Sequence, residues 1–293
     1  MINLRQIEVF YAIMRAGSIT EAARVLNVTQ PAVSAALKQL EARLRMKLFD
    51  REGGRLRPTP EARALLPDVA EIFGRLGAVE RFSADLAGGS RGVITIAATP
   101  PLCDGFAAKA VATFVAKRPG VKVSLISLAS PMVLDRVANR EVDIGLCYEP
   151  IVSRAVHVEE IVRSQIGCIL TARHPLAKRK SIRVRDLAPY PVVTYLPQAL
   201  LRPHIDRAFS DKSSAPRLSV ETSYSSTAIM LVLHGAGVAI VETALIAARP
   251  VPGLVVRPLD GRIDLKGLLI RPRQGAGSPV LEDFVAHLRQ TFP

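Results

Sequence analysis

Apolar positions recur with a helical period through the first forty residues, and turn signals interrupt them twice. Ile7, Phe10 and Met14, at steps of three and four, predict a helix from about Leu4 to Arg15 with one buried edge. Ser18 followed by Glu21 is a capping box. The short helix that it opens has a small, closely packable face in Ala22, Ala23, Val25 and Leu26. Asn27 suits the left-handed conformation that ends a helix. Thr29 is then a new N-cap, and Pro31 is tolerated in a first turn. In this next helix Val33, Ala36, Leu37 and Leu40 share one face. Gln30, Ser34 and Lys38, spaced by four, lie on the other. An outer face with donors, acceptors and one cation is what a helix needs in the major groove of DNA.

Leu44, Leu48 and Phe49 lead into Asp50-Arg51-Glu52-Gly53-Gly54-Arg55-Leu56-Arg57, which reads as a β-hairpin turning on its two glycines. Beside a helix-turn-helix this is a wing from which Arg51, Arg55 and Arg57 reach phosphates or the minor groove; the plainer reading is a solvated basic hairpin. Thr59-Pro60-Glu61 opens a long helix. Along it Leu65, Val69, Ile72, Leu76 and Val79 form a heptad seam that continues imperfectly through Phe82 and Leu86. The seam is expected to pack on the same helix of a second subunit rather than on this chain's own first domain. Pro67 costs the helix a backbone hydrogen bond, and Gly88-Gly89-Ser90 is a hinge.

From Arg91 the pattern changes to strand-helix-strand-helix-strand, the signature of a parallel sheet with crossovers. Strands are expected at Val93–Ala98, Val121–Leu128 and Val142–Cys147, with helices near Leu102–Ala116 and Ser130–Asn139. Further strands follow at Ile166–Thr171, Val192–Tyr195, Leu218–Thr222, Val238–Val241, about Leu254–Leu259 and about Lys266–Ile270. Helices are expected near Pro203–Phe209, Ser226–Leu233 and Pro279–Thr291. This is material for two α/β lobes. The expected domains are 1–59, a winged helix-turn-helix; 60–90, a linker helix and hinge; and 91–293, an α/β domain. Its first lobe would hold 91–163 and 268–293, and its second 164–267.

The net charge of +13 gives electrostatic affinity for nucleic acid, yet residues 1–60, with 10 basic and 5 acidic side chains, hold the smaller part of it. Residues 91–293 hold 26 basic and 16 acidic, so the larger domain either meets an anion or has a basic surface. No run of about 20 apolar residues suggests a membrane span, and the N-terminus has charges where a signal peptide needs an apolar stretch. Cys103, Cys147 and Cys168 have no metal-site spacing and fit a reducing cytoplasm.

With these elements in order, the chain resembles the LysR-type transcriptional regulators over nearly its whole length. The matching stretches are LRQIEVFYAIMRAGSITEAARVLNVTQPAVSAALKQLEARLRMKLFDR, then TPEARALLP, VDIGL at 142–146, HPLA at 174–177, DLAPYPVV at 186–193 and LVLHGAGVAIVE at 231–242. The resemblance implies an N-terminal winged helix-turn-helix, a long linker helix and a two-lobed effector domain similar to periplasmic binding proteins. Pro67 falls where the family often has a linker proline. Carried over by position, DNA contacts fall on Gln30, Pro31, Ser34, Lys38 and the wing's Arg51. Ala35 and Ala36 depart from the pattern, since relatives often carry Arg or Gln there. Effector contacts fall on the loop Thr99–Leu102, hence Thr99, Pro100 and Leu102, and on Ser130. Both lie at carboxyl ends of strands beside helix N-termini, where carboxylates are favoured. Tyr148, Thr194 and Tyr195 are expected to complete the cleft. Arg140 stands where relatives usually have Gly, and Glu242 where they often have Pro.

The expected partners are a two-fold related double-stranded DNA site, a small-molecule effector that the basic domain would favour as an anion, and further copies of the chain as homodimer or homotetramer. No membrane, cofactor or metal is expected. The five scattered histidines show no metal spacing. Gly235-Ala236-Gly237 follows a helix instead of opening one, so it is a C-cap and turn and not a dinucleotide fingerprint. The basic run Lys178-Arg179-Lys180 reads as a solvated loop, and Cys103 as a small buried side chain in preference to an oxidant sensor. No catalytic set stands out, so an enzyme is not expected. The rival readings are a regulator that needs no effector, and an α/β solute-binding or enzymatic protein.

Overall fold

The computed structural model describes residues 3–52, 55–87, 92–209, 216–273 and 278–291. Gly53-Gly54 and Gly88-Gly89-Ser90, read above as turn and hinge, lie outside the described residues. So do the side chains of Arg51, Arg55, Phe82 and Leu86. The chain divides into two compact units, Met1–Glu80 and Arg81–Pro293.

In the first unit, α1 (Leu4–Ala16) begins where the Asn3 side chain accepts the Arg5 amide and ends at Gly17 in the left-handed region. Its buried face is centred on Val9, Phe10 and Ile13, one position from the edge predicted. Ile7 and Met14 flank that face, partly buried, because α1 is held between neighbours on two sides. In α2 (Ile19–Val25) the Ser18 hydroxyl accepts the Glu21 amide at 3.1 Å, while the Glu21 carboxylate pairs with Arg24. Ala22 and Ala23 are buried, but Val25 is 66% exposed and so does not join the packing face. Asn27 takes φ +52°, as its role in the turn requires. In α3 (Gln30–Leu44) Val33, Leu37 and Leu40 close the core with α1.

Strands β1 (Phe49–Glu52) and β2 (Arg55–Pro58) form the antiparallel hairpin, with Phe49 opposite Pro58. Two side chains fix its base. The Glu41 carboxylate of α3 accepts the Leu48 and Phe49 amides at 2.8 and 3.2 Å. The Thr59 hydroxyl bonds the carbonyls of Lys47 and Leu48 and accepts the Ala62 amide, which caps α4 (Pro60–Ala87). The heptad seam divides. Leu65 and Val69 pack into this unit's own core, and Phe73 stacks on Tyr11 at 5.1 Å. Ile72, Leu76 and Val79 are exposed. The first turns of the seam therefore stabilise the domain that they leave, and only the later positions are open to another helix.

The second unit is built on an eight-stranded sheet in the order β4-β3-β5-β10-β6-β9-β7-β8. On one side β3 (Val93–Ala98) runs parallel to its neighbours. A short helix α5 (Pro100–Leu102), a π turn over Cys103–Ala107 and α6 (Ala108–Lys117) stand in place of the single helix predicted. Then come β4 (Lys122–Ser127), α7 (Ser130–Ala138) and β5 (Ile144–Tyr148). Gly145 lets α7 lie directly on β5, since an added Cβ would come within 2.8 Å of Val133, Val137 and Ile270. Asp143 accepts both the amide and the hydroxyl of Thr95, tying β5 to β3. These contacts give the Val142–Leu146 stretch a structural role.

β6 (Val156–Thr171) is far longer than the strand predicted. Beyond it lie β7 (Pro191–Tyr195), α8 (Arg202–Ala208), β8 (Arg217–Thr222), α9 (Ser225–Leu233), β9 (Val238–Glu242) and α10 (Ala244–Ala248). β10 (Leu254–Pro272) unites the two strands expected there, with a register shift between Pro258 and Ile263, and α11 (Pro279–Thr291) closes the described chain. β6 and β10 pair antiparallel along nearly their full length, so together they run through both lobes. Gly237, at φ +120°, lies so close to Pro191 that no side chain fits, which accounts for the glycine of that turn. Arg140 adopts φ +57°, the conformation for which glycine is suited. No helix among the described residues is long and apolar enough to cross a membrane.

Candidate nucleic-acid interface and ligand cleft

In the first unit the buried face of α3 decides which residues it leaves outside. With Val33, Leu37 and Leu40 turned inward, Gln30, Pro31, Ala35 and Lys38 are exposed and Ser34 is half-buried. Thr29 occupies the N-cap without bonding the helix, so its hydroxyl and the first turn are open to a phosphate. Between α3 and the hairpin runs a groove of about 820 Å³, lined among others by Ser34, Lys38, Lys47, Arg57 and Arg63. Lys47 and Arg63 were not singled out from the sequence. They enter because Thr59 and Glu41 pin the hairpin base beside α3.

In the second unit five strand ends build a cleft of about 400 Å³. Thr99 follows β3, where its amide bonds the Leu146 carbonyl at 2.8 Å and its carbonyl accepts the Cys103 amide. Ala129 follows β4 as the N-cap of α7, with Ser130 as the first helical residue. Tyr148 ends β5, Tyr195 ends β7, and Ser223 and Tyr224 follow β8 before α9 starts at Ser225. Thr99, Pro100, Ser130, Tyr148 and Tyr195 of the predicted set all face this cleft. Two predicted residues do not line it. Leu102 is fully buried in the core beneath its helix, and the Thr194 hydroxyl is spent on the Ile240 carbonyl at 2.9 Å, inside the sheet. Strand alternation sends neighbouring Thr194 and Tyr195 to opposite faces.

Gln198, Ser223, Tyr224 and Ser225 also line the cleft. The signal that would have found the last three is the resemblance of Thr222-Ser223-Tyr224-Ser225 to the strand-to-helix junction at Ser130: both are strand ends followed by a helix N-terminus. No described lining residue is charged, so the basic balance of the domain lies outside the cleft. An anion there meets helix N-termini and hydroxyls instead of lysine or arginine.

The floor of the cleft is a buried polar cluster. Tyr195 Oη accepts the Glu242 amide at 3.0 Å and bonds Ser225 Oγ at 2.8 Å. The Glu242 carboxylate, wholly inaccessible to solvent, accepts the Ser164 hydroxyl and the Ala244 amide through Oε1. Burial pushes Glu242 up to about 7 and the two tyrosines well above their ordinary range. Glu242 Oε2, Tyr148 Oη and Thr99 Oγ1 are buried without a hydrogen-bond partner. The wall is braced by Arg202, whose guanidinium bonds the Tyr195 carbonyl, Asp206 and Glu221.

The three cysteines are buried and free, with burial pushing Cys147 and Cys168 up to about 12 and Cys103 upward as well. Such thiols are poor nucleophiles. His174, of the 174–177 stretch, caps a 3₁₀ turn by accepting the Leu176 amide. Gly235 follows the end of α9 at φ +88°, as the C-cap reading requires.

A winged helix-turn-helix and a two-lobed α/β unit with a cleft, in one chain, are the composition of a ligand-responsive transcription regulator. Residues 4–63 match the model of the bacterial regulatory helix-turn-helix protein, lysR family, and residues 87–293 match the LysR substrate binding domain. The chain belongs to the LysR family of DNA-binding transcriptional regulators. It is similar to the octopine catabolism/uptake operon regulatory protein OccR of Rhizobium meliloti, 34% identical over 284 residues, covering 96% of this chain and 93% of that protein. It is also similar to the transcriptional activator protein LysR of Escherichia coli K12, 28% identical over 292 residues, covering 100% and 94%. Its fold is shared with CbnR solved in complex with its target DNA, at TM-score 0.63 and 20% identity, covering 99% of each chain.

Proposed function

We propose that two copies of this chain read a two-fold related DNA site, each laying α3 in a major groove and its hairpin along the backbone. Gln30, Ser34 and Lys38 face the base edges and phosphates, Pro31 shapes the first turn, and Arg51 and Arg55 contact the backbone from the hairpin. The observation that carries this reading is the outward face of α3, polar beside a groove lined by four further cations or hydroxyls. Ala35, exposed on that face, offers only a methyl group, so phosphate contacts carry a larger share of the affinity and the spacing of the two half-sites a larger share of the specificity. The exposed stripe Ile72, Leu76 and Val79 on α4 pairs the copies as a homodimer, or as the half of a homotetramer.

The domains of this reading are the DNA-binding unit at 1–59, the linker at 60–90 and the effector-binding domain at 91–293. A small molecule held in the cleft by Thr99, Ser130, Tyr148 and Tyr195 favours one arrangement of the two lobes. It thereby shifts the placement of the DNA-binding units, which requires only that it bind one arrangement better than the other. The chain works in the cytoplasm and catalyses no reaction. Footprinting on the DNA upstream of its own gene is expected to show protection of a dyad at physiological salt; absence of any protected dyad overturns the reading.

A further inference from the structure

Within the proposed effector reading, the directions of the hydrogen bonds at the cleft floor describe the molecule it takes. Tyr195 Oη accepts the Glu242 amide and shares a hydrogen bond with Ser225 Oγ in which either oxygen can be the donor. With Tyr195 as the donor in that bond, the Ser225 proton is left for a ligand at the N-terminus of the nine-residue α9, and Ser130 at the start of α7 lines the same cleft. This end of the cleft donates, and it fits a carboxylate.

The other end has the opposite polarity. Glu242 Oε2 and Tyr148 Oη are both buried, neither makes a hydrogen bond of regular geometry, and they lie close enough to pair with each other. Orphaned buried polar atoms are costly, and at a ligand site they mark bonds that the ligand completes. The groups facing Glu242 are Tyr148 from β5, Ser164 from β6, Tyr195 from β7 and the Ala244 amide; its carboxylate has no cation among these. Tyr148 lies between it and the cleft, so its hydroxyl can donate to Glu242 and turn its lone pairs to the ligand. That end calls for a charged N–H donor.

We propose that the effector is a zwitterion, a small molecule with a carboxylate at the α7 and α9 N-termini and a protonated amine at Tyr148, and that Glu242, acting through Tyr148, is the positioning residue that selects the amine. Ser225 and the helix ends do not depend on Glu242's charge, so the two ends are separable by mutation.

The test uses the full-length protein with L-leucine, L-glutamine and L-arginine. Each is titrated beside its deaminated acid and its decarboxylated amine, by thermal shift and calorimetry. At least one amino acid is expected to bind while its two truncated counterparts bind at least tenfold more weakly. Glu242→Gln and Tyr148→Phe are each expected to weaken that amino acid at least tenfold and to weaken the deaminated acid much less, with far-UV circular dichroism reporting an intact fold. Equal binding of the deaminated acid, full affinity in both variants, or no binding by any compound overturns the inference. Footprinting on the same preparation reports separately on the regulator reading: a protected dyad together with a negative titration removes the zwitterion and leaves the regulator standing.

Discussion

Glu242 is a glutamate in a place where its charge is expensive. Burial holds its carboxyl at about 7 in the folded protein, above its ordinary value near 4.5. The folded chain therefore keeps a proton that the unfolded chain releases, and stability falls as pH rises between those two values. The loss is on the order of 3 kcal/mol once both forms are ionised. Chemical denaturation from pH 4.5 to 8 should show this slope in the wild type, and Glu242→Gln should flatten it and be the more stable protein at pH 8. A steeper slope in the variant would refute the assignment. The position was legible as a departure from the family pattern, but its role was not. Its partners Tyr148, Ser164 and Tyr195 stand on three other strands, and no spacing along the chain brings them together. Thr194 and Tyr195 teach the converse: both looked suitable for the cleft, and only the alternation of β7 separates them.

At the scale of elements, the helix periods and turn residues gave the first unit almost whole. The short linker through Asn27, the N-cap at Thr29 and the hairpin are local features, encoded by neighbours. The errors were tertiary. The first half of β6 carries charges at exposed and half-buried positions and so hides from a search for apolar strands. The π turn holds Gly105, but a lone glycine inside a helical pattern does not announce a π turn. Arg140, ending α7 in a left-handed conformation, costs roughly 1 kcal/mol relative to glycine. Arg140→Gly is expected to raise stability by about 0.5–1 kcal/mol in the folded effector unit, read as a higher denaturant midpoint at unchanged slope. On α4 the seam's division makes a sharper prediction than the heptad did. Substituting Glu for Ile72 and Leu76 should dissociate the oligomer in light scattering while the far-UV spectrum is kept, because neither side chain is part of its own core. Glu at Val69, which is buried, should instead unfold the first unit.

At the scale of the molecule, the charge of +13 proves a weak guide to either site. The cleft is lined by neutral residues, and the groove beside α3 by a few cations that the fold collects from three elements. Replacing Lys38 by Ala is expected to weaken DNA binding on all sequences alike and to lower the salt slope by about one. Replacing Ser34 should act on selected sequences if it meets a base edge. Retention of a labelled operator at several salt concentrations separates the two.

The pairing of β6 with β10 sets what kind of motion a ligand can drive. Two strands joined by backbone hydrogen bonds from Val156 to Thr171 form a ribbon, not a pair of free joints. A ribbon yields by twisting, and it stores elastic energy while it does so. A ligand that favours one lobe arrangement is expected to reset the twist of this ribbon, so a bound and an unbound lobe pair should differ by a rotation, with the ribbon's amides protected from exchange in both.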